Sequence, residues 1–114
     1  MSLKIQLNKW YLVKRSVRFF SQRLFRGFDD SETWNLDTRF AEHVLPRLKR
    51  FKQLKNGYPH NLTSEQWDII LDQMIFSFEW AASDYVERAE DMETCQRVQE
   101  GLDLFGKWYQ NLWW

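Results

Sequence analysis

Three carboxylates in one helical register, Asp68, Asp72 and Glu79, come nearest in this sequence to catalytic or metal chemistry. Side chains four and seven residues apart share a helix face, and carboxylates placed so can converge on a hard cation and support metal-dependent hydrolysis. The competing reading makes the same line one side of a set of ion pairs with the basic first half of the chain, and the charge pattern favours it. Histidine does not complete a metal set: His43 follows Glu42 directly, whereas a di-iron helical bundle needs Glu and His three residues apart, and His60 has no ligand at short spacing. Cys95 falls on an apolar stripe and is expected to be a buried, inert thiol. The sequence contains no Gly-rich phosphate loop, nucleophile elbow or Cys-x-x-Cys pair. A non-enzymatic protein without cofactor or metal is the expectation.

The basic and aromatic residues form a second set. Arg15, Arg18, Arg23 and Arg26 are interleaved with Tyr11, Phe19, Phe25 and Phe28, and Arg47, Lys49, Arg50 and Lys52 follow in a second cluster. Arginine and aromatic side chains dominate protein interface hot spots, so the first use of this set is a protein-binding surface. The same residues could hold phosphates while rings stack on bases, which makes nucleic-acid binding the alternative. A basic amphipathic helix also suits an anionic membrane, but its apolar arc serves equally as core, and membrane association is the weakest of the three.

Charge is divided along the chain. Up to Lys55 there are 13 basic and 5 acidic residues, a charge of +8, and from Asn56 onward the charge is −8, although the whole is neutral. The halves must neutralise each other or meet a partner of opposite charge, self-assembly included. At 114 residues with 44% hydrophobic composition, two prolines and four glycines, the chain fits one ordered domain over 1–114. Nine Phe, seven Trp and four Tyr exceed what a small core hides, so some belong at an interface. A single cysteine fits a reducing cytoplasm, and no apolar run reaches the roughly 20 residues needed to cross a bilayer.

Four segments carry helical periodicity, and none alternates as a strand does. Between Leu7 and Gly27, the residues Trp10, Val13, Val17, Phe20 and Leu24 fall on one arc, read as the core face, with the arginines opposite. A second helix over Leu36–Lys55 has the stripe Leu36, Phe40, Val44, Leu48, Phe51 and Leu54, with Pro46 inside it predicting a kink or a split, and Gly57 suits a left-handed cap beyond its end. Thr63 and Gln66 form a capping box for the third, with Leu62 and Trp67 as a hydrophobic staple. Its stripe is Trp67, Ile70, Leu71, Met74, Phe78 and Ala81. The fourth, from about Asp91 to Leu112, places Cys95, Val98, Leu102, Phe105, Tyr109 and Leu112 on one stripe, and Gly101 and Gly106 within it point to a close helix approach.

The block Pro46-Arg47-Leu48-Lys49-Arg50-Phe51-Lys52, followed by Gly57-Tyr58-Pro59, Leu62-Thr63, Trp67-Asp68, Ile70-Leu71-Asp72 and Met74-Ile75, resembles a family of small proteins of tailed bacteriophages with no assigned activity. The stretches Arg26 to Trp34, Gln99 to Phe105 and Asn111 to Trp113 are similar too, so the resemblance runs from about Arg26 to the C-terminus. It implies a viral origin and action in an infected bacterium, and no catalytic residue follows from it. The expectation is an all-α, compact bundle of four or five helices, acting in the host cytoplasm by binding a host or phage protein. Nucleic-acid binding is the alternative and a metal-dependent hydrolase the third reading.

Overall fold

The protein is described by a computed structural model covering residues 3–114, with side chains from residue 9 onward. It is all-α, with no strand among the described residues: α1 Leu3–Arg26, α2 Leu36–Leu54, α3 Ser64–Ala82 and α4 Met92–Trp108, with 3-10 turns at Asp30–Thr33 and Tyr109–Asn111. The chain divides into two compact units, one ending at Leu36 and the other spanning Asp37–Trp114.

The second unit is a bundle of α2, α3 and α4 around one core. Ala41 and Leu48 of α2 meet Trp67, Leu71, Met74 and Phe78 of α3, and Leu104, Phe105, Trp108 and Leu112 pack against them. Phe78 and Phe105 stack edge to face at 4.9 Å, and Trp67 and Trp108 at 6.0 Å. Such pairs add about 0.5–1.5 kcal/mol each beyond the area they bury. The expected capping box opens α3: Thr63 Oγ1 accepts from the Gln66 N–H at 3.1 Å, and Gln66 Oε1 accepts from the Thr63 N–H at 2.9 Å. Asp91 caps α4 by accepting from the Thr94 N–H at 3.0 Å. The Thr94 hydroxyl, and after it that backbone bond, holds the Asp91 carboxyl below its ordinary value.

Helices α3 and α4 approach far more closely than α2 and α3. The first pair brings Cα atoms within 8 Å, whereas the second does so nowhere. The reason is Gly101, where a Cβ would overlap the Ser77 hydroxyl and the Gln73 carbonyl. With only hydrogen there, Ser77 Oγ reaches across and donates to the Val98 carbonyl at 2.8 Å in a fully buried bond.

Four expectations need correction. Gly106 meets nothing within 4 Å, so the close approach belongs to Gly101 alone. Because the contact line follows Val98 and Gly101, α4 is rotated from the expected stripe, leaving Cys95 exposed and Leu102 and Tyr109 at the surface. Gly57 lacks the left-handed backbone, which occurs instead at Gly27 (φ 83°) and Asn35 (φ 49°). Finally, α2 is not split, since it continues through Pro46 to Leu54. Proline leaves the Glu42 carbonyl without its donor and crowds that turn, and the Arg47 guanidinium supplies a donor to the adjacent His43 carbonyl at 2.8 Å.

The two glycines of α4 should therefore respond oppositely to the same substitution. Gly101→Ala is expected to cost on the order of 3 kcal/mol by overpacking and loss of the Ser77 bond. Gly106→Ala should gain about 0.5–1 kcal/mol from helix propensity. Urea unfolding of both variants checks this, and equal costs would refute the assignment of the contact to Gly101.

Candidate binding surface

The first unit is a long helix with a turn folded back on it. Helix α1 ends where Gly27 adopts positive φ and its N–H reaches the Arg23 carbonyl at 3.1 Å. The chain then reverses, and Asp29 starts a 3-10 turn with a capping box of its own, its N–H donating to Glu32 Oε2 at 2.7 Å. Asp29 is buried and accepts from the Ser31 N–H at 2.8 Å, from the Ser31 hydroxyl, and from Arg23 Nη1 at 2.6 Å. Asp30 is gripped by Gln22, which donates to its carboxylate at 2.8 Å and accepts from its N–H at 2.6 Å, and by Arg26 at 2.5 Å. These contacts hold both carboxyls below their ordinary value, the Ser31 hydroxyl bond being the largest cause at Asp29 and the Gln22 bond at Asp30.

The turn carries Trp34 back onto Phe19, with ring centroids 5.6 Å apart and nearly perpendicular. Arg15 lies over Trp34 at 4.9 Å, Arg18 over Phe19 at 5.2 Å, and Arg26 over Phe28 at 4.5 Å. At about 100° per residue, Arg15, Phe19, Arg23 and Arg26 share one side of α1. The turn therefore covers the basic face. Phe19, expected at the surface, is 8% exposed and is the buried residue on which the turn closes. The five residues expected to face a core, Trp10, Val13, Val17, Phe20 and Leu24, lie on the other side and are 52–66% exposed. Periodicity located the apolar arc correctly, but a turn holding Asp29, Asp30 and Trp34 has more to gain against arginines than against valines.

Of the anticipated binding residues, Tyr11, Phe25 and Phe28 are exposed and Arg15 is half-buried, whereas Arg23 and Arg26 are engaged with Asp29 and Asp30. The second cluster belongs to the other unit and divides in two. Lys49 and Lys52 face α3, where they continue a ladder that runs antiparallel along the helix pair. Lys49 reaches Glu79 at 3.1 Å, Lys52 reaches Asp72 at 2.6 Å, and Lys55 reaches Asp68 at 2.6 Å. All three carboxylates of the metal-site candidate are thus partnered by lysines, and no group of three His, Cys, Asp or Glu side chains able to hold a metal occurs among the described residues. Arg47 and Arg50 instead point away from α3, lining with Phe51, Leu54, Trp113 and Trp114 a shallow depression of about 530 Å³.

Sequence reasoning missed Arg88. Its guanidinium stacks between Tyr85 (4.2 Å) and Trp80 (4.6 Å), donates to the Ser83 carbonyl at 3.2 Å and to the Ala81 carbonyl, and reaches Thr38 Oγ1 at 3.1 Å. A cation placed on the last carbonyls of α3 answers the negative end of that helix and ties the α3–α4 connection to the start of α2. The available signal was its isolation, as the sole basic residue between Lys55 and Arg97.

Comparison of the chain with protein-family profiles, curated proteins and solved structures finds no match. No helix is long and apolar enough to cross a membrane among the described residues.

Two outcomes follow from these geometries. The Lys55 side chain is only 12% exposed, against 32% for Lys52 and 50% for Lys49. Asp68→Asn, which strands a largely covered ammonium, is expected to cost about 1–3 kcal/mol, and Glu79→Gln less than about 1 kcal/mol, in denaturant titrations. In the turn, depressed carboxyl pKa values stabilise the fold fully above the ordinary value of 3.8 and lose that contribution as pH falls through the lower folded values. The Trp34 indole resonance should keep its packed position at neutral pH and move toward a random-coil shift below about pH 4, before the signals of Trp67 change.

Proposed function

We propose that this protein is a non-enzymatic accessory protein of a tailed bacteriophage that acts in the host cytoplasm by binding a host or phage protein. The observation carrying the proposal is the set of stacked pairs on the first unit, Arg15 on Trp34 and Arg26 on Phe28, with Tyr11 and Phe25 exposed beside them. An arginine already laid on a ring has given up much of its rotamer freedom before a partner arrives, so less is lost on binding. Aromatic and arginine side chains with an acidic frame beneath them match the composition of interface hot spots. The phage assignment rests on the sequence resemblance from Arg26 onward. A bend of α2 at Pro46 stays within the proposal, as the ring crowds the Glu42 carbonyl and tilts the helix axis.

The nucleic-acid alternative loses support from the same contacts, because Arg23 and Arg26 answer carboxylates of their own chain. Metal-dependent hydrolysis loses support from the lysine ladder on Asp68, Asp72 and Glu79.

Affinity capture from infected host cells tests the proposal. A phage or host protein retained by the wild type should be lost with Trp34→Ala combined with Phe28→Ala, and kept with Asp72→Asn. Salt-sensitive binding of labelled DNA or RNA by the wild type, abolished by the same double substitution, would replace this reading with the nucleic-acid one.

A further inference from the structure

We infer that the exposed apolar stripe of α1 is a membrane-surface element that lies in the interface of an anionic lipid bilayer. Trp10, Val13, Val17, Phe20 and Leu24 run along about 21 Å of one helix side, each more than half exposed, while the turn of the same unit closes on the opposite side through Phe19 and Trp34. Among the described residues, the packing of this unit thus lies on the opposite face. Apolar side chains in such a row mark an interaction site, and charge decides its occupant. Helix α1 contains seven basic and no acidic residues. Lys14 and Arg18 border the stripe on one edge, positions from which long stems extend along apolar surface while the charged ends reach outward. A second copy of the same stripe would bring two such helices together and is disfavoured by repulsion. A protein groove would need acids placed against individual cations at the border of the stripe, whereas an extended anionic plane needs no such matched placement. An aromatic and aliphatic face, a basic polar face and too little apolar length to span are the features of a helix that lies on a bilayer.

This surface is separate from the arginine-aromatic patch of the proposed protein partner, and the two are separable by mutation. Co-sedimentation of the full chain with vesicles of mixed phosphatidylglycerol and phosphatidylcholine, against phosphatidylcholine alone, is the direct test. Binding to the anionic vesicles is expected, weakened by salt and by more than about tenfold in Lys14→Glu with Arg18→Glu, and lost in Val13→Ser with Val17→Ser and Phe20→Ser. The charge-reversed variant leaves the stripe intact, and a Trp34 indole resonance that keeps its packed position against Phe19 in each variant shows that loss of binding is not loss of folding of the first unit. Trp34→Ala with Phe28→Ala should bind vesicles as the wild type does. Equal affinity for neutral and anionic vesicles, undiminished binding by the triple serine variant, or a lipid-free dimer that the triple serine variant abolishes would each overturn the inference, the last in favour of a second copy.

Discussion

One hydrogen atom, the side chain of Gly101, sets the geometry of the α2–α4 bundle. It lets the Ser77 hydroxyl reach the Val98 carbonyl, a bond that exists only if two helix backbones nearly touch. Once α3 and α4 are joined there, the rotation of α4 follows: Val98, Phe105 and Trp108 turn inward and Cys95 turns out. Helix α2 must then fill the remaining side of α3 at a greater distance. Leu48 and the large side chains of Trp67 and Phe78 occupy that space, and lysines, whose stems are long enough to bridge it, close the rim onto Asp68, Asp72 and Glu79. Tight contact on one side of α3 and a wide, lysine-bridged contact on the other are therefore two results of one residue choice.

The division of charge along the sequence is answered in part by ion pairs within each unit. The ladder joins the basic end of α2 to the acidic line of α3, and Arg23 and Arg26 join the acids of the turn that follows them. Helix α1 holds seven basic residues and no acid. The first unit thus presents two faces of different character: arginines stacked on rings where the turn folds back, and an apolar row opposite. Both functional proposals come from that asymmetry, a protein partner for one face and an anionic bilayer for the other.

Most of the helical architecture was legible in the sequence, for reasons that are local. The Thr63–Gln66 capping box, the end of α1 at Gly27 and the inward stripe of α3 depend on neighbours within a turn or two, and each is found where spacing predicts it. The acidic line resolved into ion pairs as charge pattern favoured. Less was legible wherever two apolar solutions compete. The stripes of α1 and α4 were both assigned to the core because apolar periodicity marks a face without saying whether anything covers it. On α4 the glycine outweighed the larger residues, since the closest contact is made by what is absent. On α1 the acidic turn chose the arginine face, and an apolar arc was left outward. Arg88 went unnoticed because its partners are carbonyls and rings, which leave no complementary charge to find.

Both proposed surfaces of the first unit depend most on which face of α1 is covered. Paramagnetic broadening by a neutral, water-soluble gadolinium chelate reads this residue by residue in the intact protein. The methyl signals of Val13, Val17 and Leu24 should broaden strongly, while those of Met74 and Leu71 and the ring of Phe19 stay sharp. Protection of the three α1 methyl residues equal to that of Met74, with Phe19 broadened, would contradict the arrangement and both surfaces inferred from it.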